Sequence, residues 1–96
     1  MIVERDEGFA TYRYLNNGKS VYIVDLWVRP EMRNHSIASN MADQIVDIAK
    51  KAGATELLGT VVPSAKNSTT SLRVLLGYGM SLQSSSNDMI IFRKEI

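Results

Sequence analysis

Two arginines and one aspartate are the residues of this 96-residue chain whose types and positions are most suited to chemistry. Arg29 and Arg33 stand just before a long amphipathic segment, and the unpaired N–H groups at the start of a helix attract phosphate. Asp25 interrupts an apolar run, where a carboxylate either has a functional role or pairs with a basic side chain. The position of Arg29 fits an ordinary surface charge as well as it fits a phosphate ligand. The phosphate-binding prediction therefore depends mainly on Arg33.

A strand and a helix must position these side chains. The strand is predicted over Val21–Val28 because β-branched and aromatic residues dominate it, and Pro30 stops it because proline donates no ladder hydrogen bond. The helix is predicted over 37–52, and Gly53 follows where a left-handed C-terminal cap belongs. Its apolar stripe repeats every four residues: Ile37, Met41, Ile45 and Ala49.

The loop between strand and helix carries a recognisable spacing. It reads V-x-P-x-x-R-x-x-S-x-A, from Val28 and Pro30 through Arg33 and Ser36 to Ala38. This resembles the acyl-CoA signature of the GNAT family of N-acetyltransferases, written R/Q-x-x-G-x-G/A after a strand that ends in V-x-P. Ser36 replaces the middle glycine, which in the family lets the backbone approach the pyrophosphate. The resemblance implies that the chain uses acetyl-CoA as its co-substrate.

The rest of the chain predicts a mixed, mostly antiparallel sheet with two main helices, an α/β (α+β) fold. The further strands are predicted at 1–5, 9–15, 55–62, about 80–82 and 89–94, and a second helix at about 68–76. Asn16-Asn17-Gly18 predicts a tight turn, and the serine run 84–88 predicts the loop of the last hairpin. The order β-β-β-α-β-α-β-β over residues 1–96, read as a single domain, is similar to the GNAT acyl-CoA N-acyltransferase core from its second strand onward.

Composition excludes several classes of function. A net charge of +1 argues against a general nucleic-acid-binding protein, and a chain with no cysteine and one histidine predicts no metal site. No apolar run approaches the roughly 20 residues that span a bilayer, and no G-x-x-x-x-G-K-[ST] loop is present. We therefore expect a protein that works in the cytoplasm without metal, membrane or nucleic acid.

A second family motif lies in the predicted second helix, in a divergent form. Members often read N-x-x-A-x-x-x-Y-x-x-x-G-F, in which the Asn and the Tyr meet the cofactor. Alignment on the final two positions places Ser68 at the Asn, Ser71 at the Ala and Leu75 at the Tyr. Asn67 replaces the motif Asn if the helix begins one residue earlier. Leu75 cannot donate a proton, so the resemblance supplies no tyrosine acid.

The resemblance also implies roles for individual residues. The backbone N–H near Val28 would bind the thioester carbonyl as an oxyanion donor, and Asp25 would accept a proton through water or orient the amine. The side chain of Trp27 is predicted to pack within the sheet rather than to stack on a substrate. The residues expected to bind the cofactor are Leu26, Trp27 and Val28 for the pantetheine, Arg33, Asn34, His35, Ser36, Ile37 and Ala38 for the pyrophosphate, and Asn67, Ser68 and Ser71 on the second helix.

Three functions remain open. The first is an acetyl-CoA-dependent N-acetyltransferase acting on an amine acceptor of unknown identity. The alternative is a catalytically weak or inactive CoA-binding relative that serves as a binding or interaction module. The third is a small interaction module that keeps the fold and binds a partner protein through its sheet edge or its open acceptor face. Family members usually begin with a strand and two helices that help to wall the acceptor site, and the sequence contains no counterpart. A second subunit would supply that wall or the cleft would be open, and we expect a homodimer.

Overall fold

The strands and helices follow the predicted order β-β-β-α-β-α-β-β. The computed structural model describes residues 1–32, 36–64 and 68–96, with the backbone alone for residues 68–71. The elements are β1 (Ile2–Arg5), β2 (Gly8–Leu15), β3 (Ser20–Val28), α1 (Ile37–Lys51), β4 (Glu56–Val61), α2 (Ser68–Gly77), β5 (Ser81–Ser86) and β6 (Met89–Glu95). The mixed fold with two main helices is therefore confirmed.

All six strands lie in one sheet, in the order β1-β2-β3-β4-β6-β5. Strands β3 and β4 run parallel, as expected for two strands joined by a helix, and the other neighbours are antiparallel. Strand β6 inserts between β4 and β5, so β1 and β5 form the two edges of the sheet. This order places the parallel pair at the centre.

The predicted turns adopt the backbone conformation that asparagine and glycine tolerate best. Asn16, Asn17 and Gly18 have φ values of 54°, 58° and 86°. At the end of α1, Gly53 has a φ of 99°, and its N–H donates to the Lys50 carbonyl at 3.0 Å. These left-handed residues close the β2–β3 connection and cap α1, as the sequence predicts.

The serine run does not form the loop predicted for it. Ser84, Ser85 and Ser86 belong to β5, and each pairs with a residue of β6. Serine is accepted there because β5 is an exposed edge strand whose side chains need no burial, while β6 satisfies its backbone hydrogen bonds. The turn is confined to the residues after Ser86, where Asn87 takes the left-handed conformation with a φ of 53°.

One face of the sheet carries the core. Both helices pack on this face, and the hydroxyl of Tyr78, just beyond α2, donates to Oδ1 of Asp43 on α1 at 2.5 Å. The predicted apolar stripe of α1 is buried here. The core side chains are Val3, Ala10, Tyr12, Val21, Val28, Ile37, Met41, Ile45, Ala49, Ala54, Leu57, Val61, Met80 and Phe92.

The opposite face carries no helix from the part of the chain that the structure describes. Phe9, Asp25 and Trp27 project from it, because their positions alternate with those of core residues. We call it the open face. It leaves one side of the central strands accessible to a ligand.

Gly8 allows β2 and β3 to approach closely where β3 ends. A Cβ atom at this position would lie 2.0 Å from the Trp27 carbonyl oxygen and 2.9 Å from the Val28 Cα. We expect Gly8→Ala to lower the free energy of unfolding by about 1–3 kcal/mol, because backbone atoms must move to admit the methyl group. Urea unfolding measures the loss. Gly77→Ala is the control, since its Cβ would meet nothing within 4 Å, and equal stability of the two variants would contradict the close approach.

A chain of polar side chains ties β3, β4 and β6 together. The Asn16 side-chain amide donates to Oγ of the buried Ser20 at 2.9 Å, and that hydroxyl donates to Glu56 Oε2 at 2.7 Å. Nε of Arg93 donates to Glu56 Oε1 at 2.7 Å. The hydrogen bond from Arg93, followed by that from Ser20, lowers the pKa of Glu56 below its ordinary value of 4.5.

This shift predicts how stability depends on pH. Because folding lowers the pKa of Glu56, its contribution is present above the ordinary value of 4.5 and is lost as the pH falls through the folded pKa. We expect Glu56→Gln to reduce the free energy of unfolding at neutral pH, and the difference from the parent chain to shrink well below pH 4.5. Urea unfolding across this range measures the difference, with Glu4→Gln as control, because the exposed Glu4 lies on the edge strand β1, three strands away from Glu56. A deficit that stays constant with pH would be contrary to this assignment.

Candidate functional site

A cleft opens between the two parallel strands. Pairing between β3 and β4 joins only Ser20–Tyr22 to Glu56–Leu58, although β3 continues to Val28 and β4 to Val61. Beyond Tyr22 and Leu58, no residues of β3 and β4 pair with each other in the part of the chain that the structure describes. The strands therefore separate at the centre of the sheet, leaving backbone hydrogen-bonding groups along the gap for an extended ligand.

A β-bulge lies on β3 beside this cleft. The register runs from Tyr12 opposite Ile23 to Thr11 opposite Asp25, so Val24 is the extra residue. The Asp25 N–H donates to the side-chain Oγ1 of Thr11 at 3.2 Å. Bulges bend a strand and increase its twist, so this one accounts for β3 following β2 while leaving β4.

The β3 residues predicted for the site lie along this segment, on both faces of the sheet. Asp25 and Trp27 project from the open face and are exposed, whereas Leu26 is half-buried and Val28 is buried on the core side. Within the described residues the Asp25 carboxylate forms no ion pair. The alternative prediction, in which Asp25 pairs with a basic side chain, therefore finds no support among those residues. The oxyanion role of the Val28 N–H stays a prediction.

Helix α1 is the next helix in the chain after β3, and it packs against β1, β2 and β3. Ser36, its N-terminal capping residue, has φ 62° and ψ 17°, a left-handed conformation that favours glycine. The Asn40 N–H donates to the Ser36 carbonyl at 3.0 Å, which leaves the N–H groups of Ile37 and Ala38 without helical partners. Ser36 thus adopts a backbone conformation that glycine, the residue of the resembled motif at this position, takes without a Cβ clash.

The remaining residues predicted for the pyrophosphate are Arg33, Asn34 and His35. They lie outside the described residues, so the structure neither supports nor contradicts their roles. Chain connectivity alone puts them directly before Ser36, between the end of β3 and the start of α1.

The Ser36 conformation leads to a prediction. We expect Ser36→Gly to stabilise the fold by about 1 kcal/mol, because glycine adopts a positive φ without the Cβ clash. The affinity of the Ser36→Gly variant for CoA should also rise, because glycine permits closer approach of a pyrophosphate to the backbone. Thermal unfolding and calorimetric titration with CoA measure the two effects. Ser39→Gly, in the first turn of α1, is the control; a Ser36→Gly variant as destabilised as that control would argue against the backbone conformation.

Helix α2 contacts β4 where the cleft begins. Leu75, the residue aligned with the family tyrosine, packs over Gly59. A Cβ atom added to Gly59 would lie 3.1 Å from Leu75 Cδ2. Ser68 and Ser71 lie on α2, whose backbone alone is described there, and Asn67 lies outside the described residues. Leu75 thus makes an apolar packing contact at the position of the family's acid.

Tyr78 does not replace that missing acid. Its hydroxyl donates to Asp43, and Nζ of Lys94 lies 4.5 Å from its ring centroid and donates to its carbonyl at 2.9 Å. Burial, followed by the Asp43 hydrogen bond, raises the pKa of Tyr78 above its ordinary value. The phenol therefore stays protonated and links α2 to α1.

Sequence reasoning missed one polar contact at the base of the cleft. Tyr22 is the last β3 residue paired with β4, and its hydroxyl lies 2.9 Å from Oγ1 of Thr60, beyond the last paired residue of β4. The Arg13 guanidinium carbon lies 5.6 Å from the centroid of the Tyr22 ring. No local pattern identifies this pair, because only the parallel register brings the two hydroxyls together.

The family follows from the sequence match that accompanies this geometry. Residues 4–73 match the sequence model of the Acetyltransferase (GNAT) family, which covers more than half of the chain and includes the cleft and the start of α1. The chain belongs to the GNAT acetyltransferase family. No curated protein matches the sequence.

Solved GNAT structures share the fold at low sequence identity. A protein of Desulfovibrio desulfuricans assigned to the GNAT family has a TM-score of 0.82 and 17% identity, over 97% of this chain and 64% of its own. PaiA N-acetyltransferase of Thermoplasma acidophilum, in complex with coenzyme A, has a TM-score of 0.81 and 18% identity, over 94% of this chain and 54% of its own. A protein of Bacillus anthracis assigned as a streptothricin acetyltransferase, in complex with acetyl-coenzyme A, has a TM-score of 0.79 and 15% identity, over 94% of this chain and 56% of its own.

The chain therefore spans between 54% and 64% of the length of these three GNAT structures.

Two further observations concern the described residues alone. They contain no group of three His, Cys, Asp or Glu side chains arranged to hold a metal ion. None of the helices in that part of the chain has the length and apolar character needed to cross a membrane.

Proposed function

We propose that this chain is an acetyl-CoA-dependent N-acetyltransferase that acts on a primary amine. The observation that carries the proposal is the cleft between β3 and β4, which begins after three paired residues and runs along the strand that precedes α1 in the chain. Pantetheine is an extended amide chain, and the described residues 23–27 of β3 and 59–61 of β4, which do not pair with each other, would offer it backbone hydrogen bonds. The N–H groups at the start of α1, together with Arg33 a few residues earlier in the sequence, would offer a site for the pyrophosphate.

The reaction that this geometry would serve is a direct acyl transfer. The amine nitrogen attacks the thioester carbonyl carbon, the C–S bond breaks, and CoA leaves as a thiolate that takes up a proton from water. The Asp25 carboxylate on the open face would accept the proton that the amine loses, through a water molecule. Most of the rate enhancement would come from holding the two reactants together, since no tyrosine acid occupies the Leu75 position.

A coupled assay tests the proposal. Acetyl-CoA and a panel of primary amines are mixed with the protein, and the released thiol is measured with a chromogenic disulfide. We expect thiol release that requires both the protein and an amine. Release no faster than spontaneous hydrolysis with every amine would contradict catalysis.

The alternative function is a CoA-binding relative with weak or no catalysis, acting as a binding or interaction module. Leu75 in apolar contact with β4, and Tyr78 engaged with Asp43, favour it because both remove a proton donor from the cleft. Saturable CoA binding without amine-dependent thiol release would establish this alternative. A homodimer and a cytoplasmic location stay predictions, and sedimentation equilibrium tests the first of them.

A further inference from the structure

Three apolar side chains form a ledge on the open face beside the cleft. The register aligns Glu4, Phe9 and Trp27 in one row across β1, β2 and β3, and Ile2 and Asp25 in the next row. The Phe9 and Trp27 rings stack with centroids 6.0 Å apart and planes 28° apart. Ile2, Phe9 and Trp27 are 51%, 37% and 43% exposed. We call these three residues the aromatic ledge.

The aromatic ledge forms the floor of an open groove of about 390 Å³. Its apolar lining comes from all three ledge residues, and its charged rim includes Glu4, Arg5, Asp6 and Arg29. An aromatic surface of this kind offers stacking to a flat apolar group and attraction to a cation. The floor therefore favours a ligand with a flat body over a fully polar one.

The charges at the rim are not balanced. Nη2 of Arg5 lies 3.4 Å from Oε1 of Glu7, and Nη1 of Arg29 lies 4.0 Å from Oε1 of Glu31. Each rim cation therefore forms an ion pair with an acid outside the groove lining. Among residues 1–32, 36–64 and 68–96, the Glu4 carboxylate forms no ion pair or hydrogen bond, and the Asp25 carboxylate in the next row forms none either. Glu4 on the rim and Asp25, one row beyond the lining of the groove, thus present negative charge that no described side chain compensates, and this charge complements a cation.

The position of the groove connects it to the cleft. Trp27 lies on β3 within the segment that has left β4, so one edge of that segment borders the cleft and the adjacent open face carries the ledge. A ligand on the ledge would approach an acetyl group in the cleft from the side of the sheet without helices.

We propose that the aromatic ledge binds the acceptor, a primary amine that carries an aromatic or similarly flat apolar body, with its ammonium group beside Glu4 and Asp25. The proposal rests on the proposed acetyltransferase function and adds the chemical class of the acceptor. The ring lies on Phe9 and Trp27, and the carboxylates bind the charged nitrogen before it is deprotonated for attack. A neutral ring compound lacks the contact between ammonium and carboxylate, and a short aliphatic amine lacks the contact between its body and the rings of Phe9 and Trp27.

Trp27 makes this binding directly measurable, because it is the only tryptophan in the chain. The protein is titrated with phenethylamine, 2-phenylethanol and butylamine without acetyl-CoA, and tryptophan emission is recorded. We expect a saturable change with phenethylamine and at least about tenfold weaker binding of the other two, equivalent to about 1.4 kcal/mol. Equal affinity for phenethylamine and 2-phenylethanol would overturn the role of the carboxylates.

Variants assign the effect to named side chains. The double variant Glu4→Gln, Asp25→Asn should bind phenethylamine no more tightly than 2-phenylethanol, and Phe9→Ala should weaken both ring compounds while keeping the Trp27 reporter. The control Glu95→Gln removes an exposed carboxylate from the far end of the sheet and should change nothing. Circular dichroism verifies that each variant folds. Full phenethylamine affinity in the double variant would overturn the proposal.

The outcomes separate this inference from the proposed function. If acetyl-CoA binds and phenethylamine does not, the ledge is not the acceptor site and the acetyltransferase proposal stands. If phenethylamine binds and acetyl-CoA does not, the ledge is an amine site and the acetyltransferase proposal fails. A second copy of the chain is the other occupant to test: a dimer that Trp27→Glu converts to a monomer, together with no amine binding, would overturn the assignment.

Discussion

Arg33→Glu is expected to weaken the binding of acetyl-CoA by about tenfold or more, a loss of at least about 1.4 kcal/mol. Arg33 lies three residues before Ser36, whose left-handed backbone opens α1 with N–H groups that have no helical partner. If the Arg33 guanidinium lies close to this end, it adds to the positive end of the helix dipole, whereas a carboxylate at the same position would oppose the dipole and repel the pyrophosphate. Calorimetric titration with acetyl-CoA measures the change.

The control applies the same change of charge at the other end of α1. Lys50→Glu lies in the last turn, about 20 Å away along the helix axis. It should leave the affinity within about twofold, because a charge at that distance is screened by salt. Equal loss in both variants would indicate a general electrostatic effect, and unchanged affinity in Arg33→Glu would contradict the assignment of the pyrophosphate site.

Leu57→Ala is expected to give the largest loss of stability, about 2–5 kcal/mol. Leu57 is fully buried and pairs with Val21 in the middle of the three-residue parallel ladder. Because so few pairs join β3 to β4, the side chains packed at this ladder carry much of the cohesion between the two halves of the sheet. Urea unfolding at neutral pH measures the difference.

Leu82→Ala on β5 is the matched control. It removes the same atoms from a side chain that is 61% exposed on the edge strand, so the change should be within about 0.5 kcal/mol. Similar losses in the two variants would mean that β4 is not the packed centre of the sheet.

The first two thirds of the fold could be predicted because its signals are local. The Ile37, Met41, Ile45 and Ala49 stripe predicts both the existence of α1 and its buried face, and these four residues are buried in the structure. Gly53 and the Asn16–Gly18 turn have the positive φ values that such residues predict. In each case the residue type itself restricts the backbone.

Other features depend on partners that are distant in sequence. The serine run forms a strand because β6 supplies its hydrogen bonds, and serine has no strand preference that would reveal this. The bulge at Val24 and the separation of β3 from β4 arise from the register of three strands. A single strand cannot reveal how far its neighbours accompany it.

The candidate site divides in the same way. The motif spacing identified Ser36, and the structure adds that this serine adopts the glycine-like conformation. Asp25 was identified because an acid stood in an apolar strand. The Tyr22–Thr60 contact and the Phe9–Trp27 stack escaped prediction, since each joins residues from different strands across the sheet.

The most direct test of the acetyl-CoA site is a titration of ¹⁵N-labelled protein with acetyl-CoA, followed by amide chemical shifts. We predict saturable shifts at the start of α1, including Ile37 and Ala38, and along β3 and β4 beyond Tyr22 and Leu58, while the amides of β5 stay unchanged. Shifts that are absent at millimolar acetyl-CoA, or that cluster on β5 and β6 instead, would contradict acetyl-CoA binding in the cleft between β3 and β4.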